Sequence, residues 1–459
     1  MRRVVDRRRI FAAQALIVLT CVGTSLSRSA AGQVQPSWTE QFQTAVSQLR
    51  SGETATAMQS FDILWKNNSS DAQLAAWIGA SLDATSHHKE ATPWYQRSLA
   101  IRPDFEPALN DLALNYATLG EFSKAQLLLR HALQLNPSNA HASYNLGLVS
   151  LRLQDYKEAA EAFRRTRESG QSPASPGQLA LAEATARFHL REYAQTAALL
   201  ERVQGNQDYA SLLLLGSAQA LSSDLPSAIK TLQHAVILAP DDPQVYYRLA
   251  LVFVLGRLYH ESQDVLATGL KQIPNSPLLL LAQAVGSDAQ GKLDDAVAST
   301  KQSLDADPRQ PQAWALLGRI YDEMGQTDNA LNAYGQALAL GADADVGVDR
   351  VQLLIRLQRF PEAEATLRAL AKRYPANAAV DRGFGKLYRE ERQFSIAEKY
   401  LRHAILLDPD DADAHFALGE VLRLTHRTDE AKKEFAIFEQ EKPARDATRL
   451  LELAAASSK

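Results

Sequence analysis

The adjacent pair His87-His88 is the first place in this chain where side chains of the right type for metal binding stand together. Neighbouring residues on a helix point about 100° apart, and no carboxylate cluster accompanies the pair, so it reads as a solvent-exposed loop pair and not as a metal site. His131, His141 and His234 are scattered through separate stretches. No glycine-rich phosphate loop, H-E-x-x-H, G-x-S-x-G or paired cysteine occurs. The sole cysteine, Cys21, lies in an N-terminal apolar segment, where Val18-Leu19-Thr20-Cys21 is a weak lipoprotein box because threonine is a poor residue before the cysteine. Without that segment no thiol remains for disulfides, nucleophilic catalysis or metal ligation. Asn67-Asn68-Ser69-Ser70 holds glycosylation-like triplets that mean little in a bacterial host. The expectation is a chain that is not an enzyme and carries no cofactor.

Charge offers a second kind of chemistry. Arg382, Lys386 and Arg389 recur at i, i+4 and i+7, so one helix face would carry three cations, which Arg319 and Arg356 extend. An acidic peptide or a C-terminal carboxylate would suit such a stripe. Asp322, Glu323, Asp345, Glu390 and Glu391 stand close by, however, and a self-neutralised, solvated face is the competing reading. A net charge of -4 leaves no nucleic-acid footprint, and the few aromatic residues, 7% of the chain, offer no base-stacking platform.

The elements that must position these residues follow from periodicity. In Pro311 to Leu340, PQAWALLGRIYDEMGQTDNALNAYGQALAL, residues Trp314, Leu317, Gly318 and Tyr321 fall on one face of a first helix. Gly325 ends it, and Ala330, Tyr334 and Ala337 repeat the spacing on a second helix. Such a hairpin has two apolar faces and cannot bury them alone. Prolines give the period independently: Pro103 and Pro137, then Pro240, Pro274 and Pro308, then Pro375, Pro409 and Pro443, each 34 residues from the last within its group. Each is placed to close a second helix. At 459 residues the chain is too long for one core, and eleven or twelve such units, covering residues 38 to 443, stack only on their neighbours.

The quoted stretch resembles the tetratricopeptide repeat, matching W-x2-L-G-x2-Y followed by G-x4-A-x3-Y-x2-A, with Ala342 where that family usually has its closing proline. The resemblance implies an all-α fold, a right-handed superhelical solenoid of helix-turn-helix repeats whose first helices line a concave groove that binds a protein or peptide. Positions equivalent to Gln312, Ala315, Arg319 and Asp322 would face that groove. In the middle of the chain they are apolar: Leu181, Phe188, Leu213, Tyr247, Leu251, Val254, Leu281 and Val285. Two roles are open to them, docking an amphipathic or apolar segment, or packing on neighbouring first helices. Near the C-terminus the same positions become Arg382, Lys386 and Arg389. Asn110 and Asn145 stand near the positions used by chaperone-binding relatives, but the cations that should accompany them are missing.

The first 31 residues read as a bacterial-type secretory signal peptide: six arginines and one aspartate give +5, an apolar run from Ile10 to Val22 follows, and Ser29-Ala30-Ala31 offers a cleavage site. Subtracting +5 from -4 leaves -9 for the remainder. Arg8-Arg9-Ile10-Phe11 resembles the twin-arginine motif with poorly fitting flanks, which favours ordinary Sec export. Retained instead of cleaved, this segment would be a membrane anchor, though it is shorter than the roughly 20 residues a spanning helix needs. Residues 32–37 form a linker. Turn formers in ESGQSPASPGQ, residues 168–178, suggest two repeat blocks, 38–173 and 174–443, continuous or nearly so, with residues 444–459 supplying a capping helix and tail. The functional expectation is an exported scaffold for a protein or peptide partner in a periplasmic, secreted or envelope assembly, its oligomeric state open. The alternative is an accessory subunit that positions an enzyme of polysaccharide or secretion machinery.

Overall fold

The computed structural model describes residues 38–203 and 208–441. The expected signal peptide, linker and capping helix lie outside them. The fold is all-α, and the described residues hold 24 helices and no strand. Among them, no helix is long and apolar enough to cross a membrane. Two compact units divide the chain between Val203 and Gln204.

In the first unit the helices run in hairpins: α1 (Trp38–Arg50) with α2 (Thr54–Asn67), α3 (Ala72–Ala84) with α4 (His88–Ile101), α5 (Glu106–Thr118) with α6 (Phe122–Leu135), α7 (Ala140–Arg152) with α8 (Tyr156–Ser169), and α9 (Pro176–His189) with α10 (Tyr193–Glu201). The second unit continues with α11 (Tyr209–Leu221) and α12 (Leu225–Leu238), α13 (Pro243–Leu255) and α14 (Tyr259–Gln272), α15 (Pro277–Ala289) and α16 (Leu293–Ala306), α17 (Pro311–Glu323) and α18 (Thr327–Ala339). It ends with α19 (Ala344–Arg356) and α20 (Phe360–Arg373), α21 (Ala378–Glu390) and α22 (Phe394–Leu407), and α23 (Ala412–Leu424) with α24 (Thr428–Glu441).

The periodic prolines act as the spacing requires. Helices α4, α6, α12, α14, α16, α20 and α22 all stop two residues before Pro103, Pro137, Pro240, Pro274, Pro308, Pro375 and Pro409 respectively. A proline cannot donate the next helical hydrogen bond, and its ring disfavours helical backbone in the residue before it. After Pro137, Pro240, Pro375 and Pro409 the next first helix restarts behind a capping side chain, as when the Asp242 carboxylate accepts from the backbone N–H of Gln244 at 2.8 Å and Pro243 fills the first helical position.

Within a hairpin the two helices touch through a small residue. At Gly318 an added Cβ would stand 2.7 Å from Cδ1 of Tyr334, which is 2% exposed. The same register pairs Gly147 with Phe163, Gly216 with Leu232 and Gly419 with Phe435. Between α17 and α18 the turn needs a left-handed residue, and Gly325 supplies it with φ +70.

The turn formers at 168–178 lie inside the first unit, not at the division between units. Ser175 caps α9 in a reciprocal capping box with Gln178, and Leu179 and Ala186 of α9 join Tyr144 and Phe163 in one buried cluster. Across this joint the Glu183 carboxylate, with no exposed surface, is held by Arg167 at 2.9 Å and Arg187 at 3.0 Å.

Candidate functional site

The apolar first-helix positions of the middle hairpins are mostly closed to solvent. Tyr247 and Leu251 have 0% exposure, and Val254, Leu281 and Val285 have 2–3%. Leu213 is half-buried against the same core, and Phe188 is buried in the first unit. An exposed apolar strip at these residues is therefore not what the structure presents; packing is their role in it. Gly286 of α15 lies against Val254 of α13, where an added Cβ would make an ordinary contact at 3.6 Å.

From α15 onward charge replaces apolar packing between successive first helices. Arg319 of α17 donates to Asp288 of α15 at 2.6 Å and to Glu323 at 3.0 Å. Arg356 of α19 binds Asp322 of α17. Arg382 of α21 binds Asp345 of α19 at 3.4 Å and Asp411, the N-cap of α23. Every first-helix junction from α15 to α23 thus carries an arginine–aspartate bridge. Arg319 and Arg382 are mostly committed to these pairs, so the cationic stripe suggested by the spacing is reduced.

Two cations stand apart from the ladder. Lys386 is half-buried and makes no ion pair or hydrogen bond among the described residues. Burial holds its ammonium below the usual range, with Asp413 opposing the shift. Arg389 is half-buried and paired only with Glu390 of its own helix, at 2.7 Å.

The first unit contains a polar cluster the sequence reading missed. Asp83 accepts from Asn115 Nδ2 at 2.8 Å and from the Tyr95 hydroxyl at 2.9 Å, and His88 Nδ1 lies 2.8 Å from it. His87 sits against the hydroxyls of Thr85 and Thr54 at 3.0 and 3.3 Å. The pair is therefore neither a free loop pair nor without a carboxylate: it opens α4, and each ring is tied to a different partner. Burial raises Asp83 despite those hydrogen bonds. Burial, then the Asp83 charge, pushes Asp111 up to about 7. The signal available in the sequence was Asp83 standing five residues before His88, across the hairpin turn. Asn145 donates to Asn110 at 3.0 Å, and Asn110 also hydrogen-bonds the Asp111 carboxyl. Among the described residues no group of three or more His, Cys, Asp or Glu is placed to hold a metal ion.

Twelve hairpins among the described residues, seven of them with a first-helix glycine set against a second-helix side chain, and a proline-set period agree with sequence profiles of the tetratricopeptide repeat, which match residues 110–176, 181–243 and 382–446 and, in a second form, residues 289–346. The chain belongs to the tetratricopeptide repeat family. This tetratricopeptide repeat protein is 32% identical over 95 residues to the "Tetratricopeptide repeat-containing protein trd-1" of Caenorhabditis elegans, a match covering 20% of this chain and 12% of that one. Over 377 residues it is 22% identical to the "Protein CTR9 homolog" of Arabidopsis thaliana, covering 78% and 31% of the two chains. The chain thus spans less than a third of the length of either relative. Among solved structures, the crystal structure of the APC/C hetero-tetramer Cut9–Hcn1 aligns over 96% of each chain with TM-score 0.41 and 14% identity.

Proposed function

We propose that this protein is a non-catalytic scaffold that holds an acidic protein or peptide segment on the first-helix face of its C-terminal hairpins, within an exported or envelope assembly. The observation that carries the reading is the fate of the cations. Arg319, Arg356 and Arg382 are consumed in bridges between successive first helices, which fixes the spacing of that face before any partner arrives, while among the described residues Lys386 makes no ion pair, the Asp413 charge acting on it only at longer range, and Arg389 pairs within its own helix. A pre-ordered face loses little further entropy on binding, and two spare cations reward an acidic side chain or terminus. Export is supported by the basic cluster and apolar run of residues 1–31.

The test is a paired capture experiment. Tagged protein captures partners from the envelope fraction, and one partner is then measured with two double variants. Lys386→Ala/Arg389→Ala removes the spare cations. Lys230→Ala/Lys271→Ala removes exposed cations from second helices α12 and α14. Loss of the partner in the first variant alone is the expected result; equal retention or equal loss in both overturns the assignment.

A further inference from the structure

A cavity of about 470 Å³ opens in the second unit among α14, α15 and α16. Its origin lies in residue size. Ser262, Ala267, Gly286, Ser287, Ala298 and Ser299 face it, and none is long enough to fill it.

The polar groups of the lining fall into two sets. Some are spent within the protein: Ser262 Oγ donates to the Ala250 carbonyl at 3.1 Å, Gln290 Nε2 to Gly286 at 2.9 Å and the Tyr259 hydroxyl to Ala289 at 3.3 Å. The others make no hydrogen bond among the described residues: the carboxamides of Gln263, Gln283 and Gln302 at the rim, and the hydroxyls of Ser287 and Ser299 deeper in. Ser287 and Ser299 are only 9% and 6% exposed. Their oxygens open into the cavity, where solvent or a ligand can reach them.

The lining also restricts what could pair with them. Lys292 and Asp295 are its only formally charged members, one of each sign, so neither an anion nor a cation is favoured. Leu266 and Leu270 supply an apolar wall on one side. Free carboxamides offer a donor and an acceptor each, and they come from three different helices around a compact outline, which does not match the linear alternation of an extended strand. The volume lies in the range of small-ligand sites.

We propose that this cavity binds a neutral polyhydroxylated ligand of mono- to disaccharide size, its hydroxyls paired with Gln263, Gln283, Gln302, Ser287 and Ser299 and its C–H face laid on Leu266 and Leu270. The site is separate from the first-helix face and independent of the function proposed for it.

The experiment is titration calorimetry of the full chain with glucose, maltose, cellobiose and N,N′-diacetylchitobiose, with glucose 6-phosphate, glucosamine and trialanine as comparators. At least one neutral sugar binds, the charged analogues bind no more tightly than their parent, and Gln283→Ala/Gln302→Ala weakens binding by about tenfold or more, as the loss of two hydrogen bonds requires. Ser299→Leu, which fills the floor, has the same effect; should that variant fail to fold, the rim variant decides, because Gln283 and Gln302 are exposed. The proposal is overturned if no neutral sugar binds up to about 10 mM, a free energy near -3 kcal/mol, if binding is unchanged in the rim variant, or if trialanine binds more tightly than every sugar.

Discussion

Replacing Gly318 with alanine tests the hairpin geometry where α17 and α18 cross. The added methyl would sit 2.7 Å from Tyr334 Cδ1 and 2.8 Å from Cε1, whereas carbon atoms rest about 3.5–4.0 Å apart. The ring must therefore retreat by about 1 Å, and it has no open side, because Tyr334 is 2% exposed between Ala330 and Ala337, both at 0%. Overpacking of this kind costs about 1–3 kcal/mol. Alanine also regains roughly 1 kcal/mol of helix propensity over glycine, so the net loss is about 0–2 kcal/mol. Gly335 isolates the two effects: an added Cβ there meets nothing within 4 Å, so Gly335→Ala keeps the propensity gain without the clash. The difference between the two alanine variants should then be about 1–3 kcal/mol. Urea denaturation followed by far-ultraviolet circular dichroism measures it, with hydrogen exchange over α17 and α18 as the local readout, since repeat arrays can open in parts. In a Tyr334→Ala background Gly318→Ala should cost nothing, the coupling expected of groups in contact. Equal stabilities for Gly318→Ala and Gly335→Ala would refute the close crossing.

Three further outcomes follow from the charged groups. Glu183→Ala should destabilise the first unit by about 2–3 kcal/mol through lost charge-assisted hydrogen bonds, since Arg167 keeps solvent and Arg187 keeps Glu192; urea melts of the variant and of the wild type measure it. Asp111 has a folded-state value near 7 against an ordinary 3.8, so ionisation is harder in the folded protein. Its stabilising contribution is full below about pH 4 and is lost as pH rises through 7. Asp111→Asn should therefore match the wild type in thermal stability near pH 4, exceed it near pH 8, and flatten the profile between; a constant offset would contradict the shift. Arg382→Ala leaves Asp411, at 9% exposure, without its cation and should cost about 3 kcal/mol, read as faster hydrogen exchange in α21 and α23.

Much of the fold was legible because one short-range pattern repeats. Trp314, Gly318, Tyr321 and Ala330 define a hairpin from spacing alone, and prolines thirty-four residues apart mark where second helices stop. What sequence spacing could not supply was the distance between hairpins. Whether Tyr247 and Leu251 face a partner or a neighbouring helix depends on how closely α13 and α15 approach, which is set through space and not by sequence neighbours. The cationic stripe is similar. Glu323 and Glu390 were visible as local counter-charges, but Asp288 is 31 residues from Arg319 and Asp411 is 29 from Arg382, so they meet only once the repeat pitch is formed. The turn formers at 168–178 were visible in the sequence, but the tie across them was not: the Glu183 carboxylate holds Arg167 and Arg187 on either side of that turn. His87-His88 was judged on the helix angle between its members, while the carboxylate that meets His88 lies at the end of the preceding helix.

The central claim is that partners are held by the first-helix face of the C-terminal hairpins. Hydrogen exchange of the full chain, alone and with the protein captured from the envelope fraction, tests it most directly. The account predicts added protection in α17, α19, α21 and α23, greatest around Lys386 and Arg389, with the solvent-facing parts of α18, α20 and α22 unchanged. Protection confined to those second helices, or absent from α21, would contradict it.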